Sequence, residues 1–135
     1  MKVKYQDVCN IIFSLYLYGQ STKRIHYSTD SNHAHELCDQ IQDIIYDFTD
    51  TLAESYFGHF GKPAIRQLSV NQKIQEVDDL GKICKLCFEA VEPLREEFEK
   101  DTSLSGIVSA IDDFKQKMQQ QGFLATFDRV SNVKV

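Results

Sequence analysis

The sequence contains few of the residues that interrupt regular secondary structure. It has two prolines and six glycines in 135 residues and no tryptophan. No apolar run reaches the length of a membrane span, and the apolar residues 11–19 are too few for a membrane helix and lack the small-residue cleavage site of a signal peptide. We therefore expect a cytoplasmic, unprocessed protein with long helices and no membrane-spanning segment.

The chain also lacks a basic segment. Its formal net charge of −5 argues against a general nucleic-acid-binding surface, and the basic residues near its ends are limited to Lys2, Lys4 and Lys134. With 42% hydrophobic and 26% charged residues, the composition is that of an ordinary globular protein. The length is sufficient for one domain with its own core, so we predict a single domain over residues 1–135.

The four cysteines do not form an obvious site. Three of them lie in helical apolar patterns, which indicates small buried hydrophobic side chains in a reducing compartment. Cys84 and Cys87 form a Cys-x-x-Cys motif without a second pair or a neighbouring strand. Packing in the core is therefore favoured over a redox or zinc-binding role.

Apolar residues recur at helical spacing in four segments. These run roughly from Val3 to His26, from a cap at Asp30, Ser31 or Asn32 to about Phe57, from about Asn71 to Lys100, and onward from residues 101–103. Pro93 predicts a kink or break near residues 89–93, and Gly122 an end or interruption of the last helix. The sequence thus predicts an all-α four-helix bundle whose long second connection crosses over the bundle.

The second segment carries two pairs of ionisable residues on one face. With His35 taken as 0° and 100° added per residue, Asp39 falls at about 40°, Asp50 at about 60° and Glu54 at about 100°. The apolar residues lie on the opposite side and predict the core-facing stripe: Leu37, Ile41, Ile44, Ile45, Phe48 and Leu52. Because Asp39 and Asp50 are about 16 Å apart along the helix axis, one metal ion cannot bind both pairs of the same helix.

A second copy of the helix can bring the pairs together. If two chains pack this face antiparallel about a two-fold axis near Ile44 and Ile45, His35 and Asp39 of one chain lie opposite Asp50 and Glu54 of the other. Two equivalent sites then form, about 22 Å apart along the helix axis. Imidazole with carboxylates suits iron(II) or another divalent first-row metal, and His26 is close enough in sequence to add an imidazole. Acidic residues four apart more often form a solvated face, but this face also carries Gln42, Tyr46 and Ala53 and therefore suits a partner.

The order His26, His35, Asp39, Asp50, Glu54 resembles the ferroxidase signature of the Dps proteins, the mini-ferritins that protect DNA during starvation. The spacing matches from His35 onward, with three, ten and three residues between successive members. The stretches "LAESYFGHFGKP" and "DTSLSGIVSAIDDF" also resemble the family. This resemblance implies a ferritin-like four-helix subunit, iron(II) oxidation by peroxide or oxygen at an inter-subunit site, iron storage or detoxification, and a shell of twelve subunits.

The sequence departs from the family pattern at several positions. The gap from His26 to His35 is a few residues shorter than usual, Tyr27 stands where the family has Trp, and no Lys-rich N-terminal extension is present to hold DNA. An alternative function is therefore a helical assembly or DNA-associated structural protein that has lost iron oxidation. His33 and His59 are interpreted as surface or capping residues. The last two segments contain no His, so the Glu and Glu-x-x-His ligands of ordinary ferritins are missing from them.

Overall fold

The computed structural model describes residues 2–68 and 77–135, and they form an all-α fold. The four helices are α1 (Tyr5–Ser28), α2 (Asn32–Phe60), α3 (Leu80–Phe98) and α4 (Ser105–Leu124). Short 3-10 turns cover Ile65–Leu68, Thr102–Leu104 and Phe127–Arg129. No strand occurs in the described part of the chain. The predicted all-α class is confirmed.

Contacts at the two ends of the bundle establish the helix directions. Arg24, near the end of α1, pairs with Asp78 just before α3, with 3.2 Å between the guanidinium and the carboxylate. At the other end, the ring of Tyr56 in α2 lies 5.7 Å from that of Phe98 in α3. Helices α2 and α3 therefore run in the same direction.

The last helix returns to the end where α2 begins. His33 lies in the first turn of α2, and its Nε2 is 2.7 Å from the carbonyl oxygen of Leu124 in α4. Helices α1 and α4 therefore run opposite to α2 and α3. No helix among residues 2–68 and 77–135 combines the length and apolar character needed to cross a membrane.

The core follows the predicted stripes closely. In α2 the predicted core residues are buried except Ile44, which is half-buried. Phe48 of this helix stacks on Phe114 of α4, with 4.0 Å between ring centroids. The apolar residues predicted to face the core in the last two segments are all buried: Val77, Leu80, Cys84, Cys87, Val91, Leu94, Phe98, Leu104, Ile107, Ile111, Phe114 and Met118.

Two helix boundaries differ from the predicted positions. Helix α2 passes through Gly58 and ends at Phe60, because Gly61 adopts a φ of 100° that favours glycine and ends the helix. The predicted start of the third helix at Asn71 lies outside the described residues, but residues 77–79 are not helical. Helix α3 begins at Leu80, where the Asp79 carboxylate accepts the N–H of Lys82 at 2.9 Å.

Neither α3 nor α4 breaks at the predicted position. Helix α3 continues through Pro93. Because proline has no N–H, the carbonyl of Glu89, four residues earlier, loses its usual hydrogen-bond donor. Both residues are exposed, so water can hydrogen-bond that carbonyl. Helix α4 continues through Gly122 to Leu124. Gly122 is buried against Val135, where any larger side chain would clash. Glycine here is explained by close packing and not by the end of a helix.

Candidate metal centre

The turn between α1 and α2 brings two histidines face to face. His26 lies in the last turn of α1 and His35 in the first turn of α2, and the start of α2 is fixed by Ser31, which accepts the N–H of Ala34 at 3.1 Å. The two imidazole rings stack with 3.7 Å between centroids and an interplanar angle of 24°. The shorter spacing from His26 to His35 therefore still brings both rings together.

Each ring is held by the main chain of the other residue. Nδ1 of His26 lies 3.0 Å from the carbonyl oxygen of His35, and Nδ1 of His35 lies 2.9 Å from that of His26. A carbonyl can only accept, so each Nδ1 carries the hydrogen, and the lone pair of the neutral ring is on Nε2. Metal-binding histidines commonly donate their other N–H in this way, so the arrangement is suited to binding a metal through Nε2.

Asp39 lies one turn beyond His35, beside the same cluster. Its Oδ1 is 3.5 Å from Nδ1 of His26 and 2.9 Å from Nζ of Lys23 on α1. The hydrogen bond from Lys23 is the main reason that the pKa of Asp39 is below its usual value, and the neighbouring His26 contributes further. The carboxylate is about half exposed, at 52%, and so remains accessible to a cation from solution.

Asp50 and Glu54, the second predicted pair, lie further along α2 and are both exposed. Their negative charges act on Tyr16 of α1. The pKa of the Tyr16 hydroxyl is raised mainly by burial and further by these two carboxylates. The Tyr16 ring also contacts Tyr46 of α2, at 5.6 Å between centroids. The second pair therefore belongs to the same α1–α2 surface as the histidines.

Within one chain the two pairs remain separate. The structure brings together His26, His35 and Asp39 but does not add Asp50 or Glu54 to them. Across residues 2–68 and 77–135, no three His, Cys, Asp or Glu side chains form a group able to hold a metal ion. A complete metal centre built from these residues requires ligands from another chain.

Close packing of α1 on α2 gives this surface its shape. The ring of Tyr46 lies directly over Gly19, where a larger side chain would collide with it. Gln42 donates to the carbonyl oxygen of Gly19 at 3.0 Å. The two helices are thus close together along the surface that carries the predicted ligands.

Sequence reasoning did not identify Lys23 or Tyr16 as members of this surface. Lys23 precedes His26 by three residues, so helical spacing places both on one side of α1. That spacing was a usable signal for Lys23. Tyr16 carries no comparable signal, because its relation to Asp50 and Glu54 depends on how α1 packs against α2.

Among the weaker candidates, the two cysteines and His33 have structural roles. Cys84 and Cys87 are completely buried in the core, as predicted. His33 bonds the carbonyl oxygen of Leu124, the last residue of α4, as a capping residue does, and stacks at 6.4 Å on Phe127. His59 is exposed near the end of α2, next to Phe60.

Comparison with known proteins does not assign this chain to a family. The Dps resemblance rests on the order and spacing of the five predicted ligands and on the short stretches around them. No family model, curated protein or solved structure matches this chain.

Proposed function

We propose that this protein is a mini-ferritin of the Dps type, which binds iron(II) between two copies of the chain and oxidises it with peroxide or oxygen. The observation that carries the proposal is the reciprocal pair of hydrogen bonds between His26 and His35. Both imidazoles are oriented by backbone carbonyls and keep their Nε2 atoms for a ligand. Asp39 adds a carboxylate to the same cluster.

The stacking of the two rings favours two adjacent metal positions over one. The lone pair of each Nε2 lies in its own ring plane, and because the two planes are stacked only 24° apart, one ion at bonding distance from both rings cannot lie in both planes. The rings are 3.7 Å apart, which is similar to the roughly 3.5–4 Å between the metals of two-metal sites. We infer that each histidine binds its own iron ion.

A second copy of α2 supplies the missing ligands. Antiparallel pairing about a two-fold axis between residues 44 and 45 places His35 opposite Glu54 of the partner subunit, and Asp39 opposite Asp50 of the partner subunit. Two facing carboxylates repel each other unless a cation lies between them. The combined set of two imidazoles and three carboxylates suits iron(II).

The proposed chemistry uses the two ions together. Two iron(II) ions supply the two electrons that, with two protons, reduce one hydrogen peroxide to two water molecules. The paired transfer avoids the one-electron step that releases a hydroxyl radical. The anionic ligands Asp39, Asp50 and Glu54 favour the reaction because added negative charge stabilises iron(III) more than iron(II). His26 and His35 hold the ions side by side.

The helix directions support the ferritin-like part of the proposal. Helices α2 and α3 run in the same direction, so the end of α2 and the start of α3 lie at opposite ends of the bundle. A long crossover between such ends is typical of ferritin-like bundles. A cytoplasmic location and assembly beyond the two-fold dimer, into a twelve-subunit shell, belong to the same proposal.

Iron loading tests the function directly. Purified protein is given iron(II) without oxygen, separated from free metal and analysed for bound iron, and oxidation is then followed after peroxide is added. We expect rapid oxidation by the natural sequence and by His59→Ala, which removes an exposed histidine from the same helix. His35→Ala should lose both bound iron and oxidation. An oxidation rate for the natural sequence no faster than that in buffer would contradict the proposal.

One observation favours the alternative, a helical assembly or DNA-associated protein without iron chemistry. Lys23 already pairs with Asp39 at 2.9 Å, so the charge of this carboxylate is compensated without a metal ion. In that case iron binding would be absent, or unchanged by His35→Ala. A DNA mobility shift that weakens between two salt concentrations would then indicate phosphate binding.

A further inference from the structure

Lys23 occupies a position that the proposed metal centre would need. Its Nζ lies 2.9 Å from Oδ1 of Asp39, which is one of the proposed ligand atoms. It reaches this carboxylate from α1, on the same side of the helix as His26. The ammonium therefore contacts the carboxylate at the point where a bound cation would contact it.

No other positive group neutralises Asp39 as directly in the described structure. The nearest histidine nitrogen, Nδ1 of His26, is 3.5 Å away and directs its hydrogen to the carbonyl oxygen of His35. Lys23 has therefore the same electrostatic function in the metal-free protein as a metal ion would have. A lysine ammonium is a compact point charge, and its four-carbon chain lets it move.

We propose that Lys23 is a displaceable counter-ion of the metal centre: it holds Asp39 in the metal-free protein and is expelled by an entering divalent cation. The inference rests on the proposed function. Displacement is favourable because a divalent ion attracts the carboxylate more strongly than an ammonium does. Lys23 thereby lowers the affinity of the centre and disfavours monovalent cations.

The surroundings of Lys23 allow this exchange. Its side chain is 39% exposed, and ion pairs this accessible to water contribute little to stability. The pKa of Lys23 is raised mainly by its hydrogen bond to Asp39, and the charge of Asp43, one turn further along α2, contributes as well. Asp43 is therefore a second carboxylate towards which the ammonium can move when Asp39 binds a metal.

Cobalt(II) binding to the full chain tests the role of Lys23. Cobalt(II) is a divalent probe that does not turn over under these conditions, and its affinity is measured by titration calorimetry at neutral pH. Lys23→Met should bind it about threefold to tenfold more tightly than the natural sequence. Lys23→Arg keeps the charge and should bind no more tightly. Arg24→Met removes an equal charge from the adjacent residue, which pairs with Asp78 instead, and should leave the affinity unchanged.

A second background shows whether the effect acts through Asp39. In Asp39→Ala protein the carboxylate is missing, so adding Lys23→Met should have no further effect. Equal affinity of Lys23→Met and the natural sequence would overturn the inference and leave the proposed function standing. An increase that persists in the Asp39→Ala background would also overturn it. No cobalt(II) binding by any of these proteins would contradict the inference and the proposed function together.

Discussion

His26 and His35 hold each other in place. Each imidazole donates its Nδ1–H to the main-chain carbonyl of the other residue, and the rings are 3.7 Å apart. Removing either ring takes away a stacking partner and a hydrogen bond that orients the turn between α1 and α2. The two histidines therefore act as one unit, although they belong to different helices.

Substitution of either histidine should affect metal binding through this coupling. We expect His26→Ala and His35→Ala each to weaken cobalt(II) binding by more than the roughly tenfold to hundredfold that the loss of a supporting hydrogen bond costs. The fold-loss of cobalt(II) affinity in the double variant should be smaller than the product of the fold-losses in the two single variants, because each ring orients the other. Titration calorimetry measures the affinities, and circular dichroism confirms that the fold is retained.

His59→Ala is the matched control for both variants, since it removes an exposed imidazole from the far end of α2. Its affinity for cobalt(II) should equal that of the natural sequence. Unchanged binding by His26→Ala would remove His26 from the ligand set and leave His35 as the single imidazole from this chain.

The contact between Gly19 and Tyr46 leads to a prediction about stability. A methyl group at Gly19 would collide with the Tyr46 ring, so Gly19→Ala should lower the free energy of unfolding by about 1–2 kcal/mol, despite the higher helix propensity of alanine. Gly58 also lies inside a helix but has open space around it, so Gly58→Ala should raise the free energy of unfolding by about 0.5–1 kcal/mol. Urea unfolding measures both, and a stabilising Gly19→Ala would show that the two helices are further apart.

Burial should make the cysteine thiols unreactive in the folded protein. All four are buried, and burial raises the pKa of Cys38 to about 11 and that of Cys84 to about 12. The pKa values of Cys9 and Cys87 are raised by burial as well. Because the thiolate is the reactive form, a disulfide reagent at pH 8 should modify none of them until the chain is unfolded. One rapidly modified thiol in the folded protein would contradict this burial.

Much of the helical framework can be predicted from the sequence because it depends on local periodicity. The stripe from Leu104 to Met118 is apolar every three or four residues, and all its predicted members are buried. The same arithmetic placed His35, Asp39, Asp50 and Glu54 away from the core, and the structure leaves all four exposed. Helix period alone is sufficient for both results.

Features that depend on tertiary packing were not predictable in this way. Gly122 suggested an interruption of α4, yet it serves the close approach of Val135. The stacking of His26 on His35 depends on the path of the α1–α2 turn, which the spacing of the two residues does not define. The contact of Tyr46 with Gly19 likewise requires the relative position of two helices.

The central claim is that each metal centre takes one set of ligands from each of two chains. Two variants separate these sets: His35→Ala with Asp39→Ala, and Asp50→Ala with Glu54→Ala. The claim predicts that either variant alone forms dimers in which both centres are damaged. In a mixed dimer both lesions fall in one centre, and the other centre is intact.

The most direct measurement is therefore the iron(II) oxidation rate of mixed dimers, isolated through a different affinity tag on each variant. The account predicts that each variant alone is inactive and that the mixed dimer recovers up to half of the activity of the natural protein. A centre contained within one chain cannot be restored in this way. Verified mixed dimers that remain as inactive as the separate variants would contradict the inter-subunit centre.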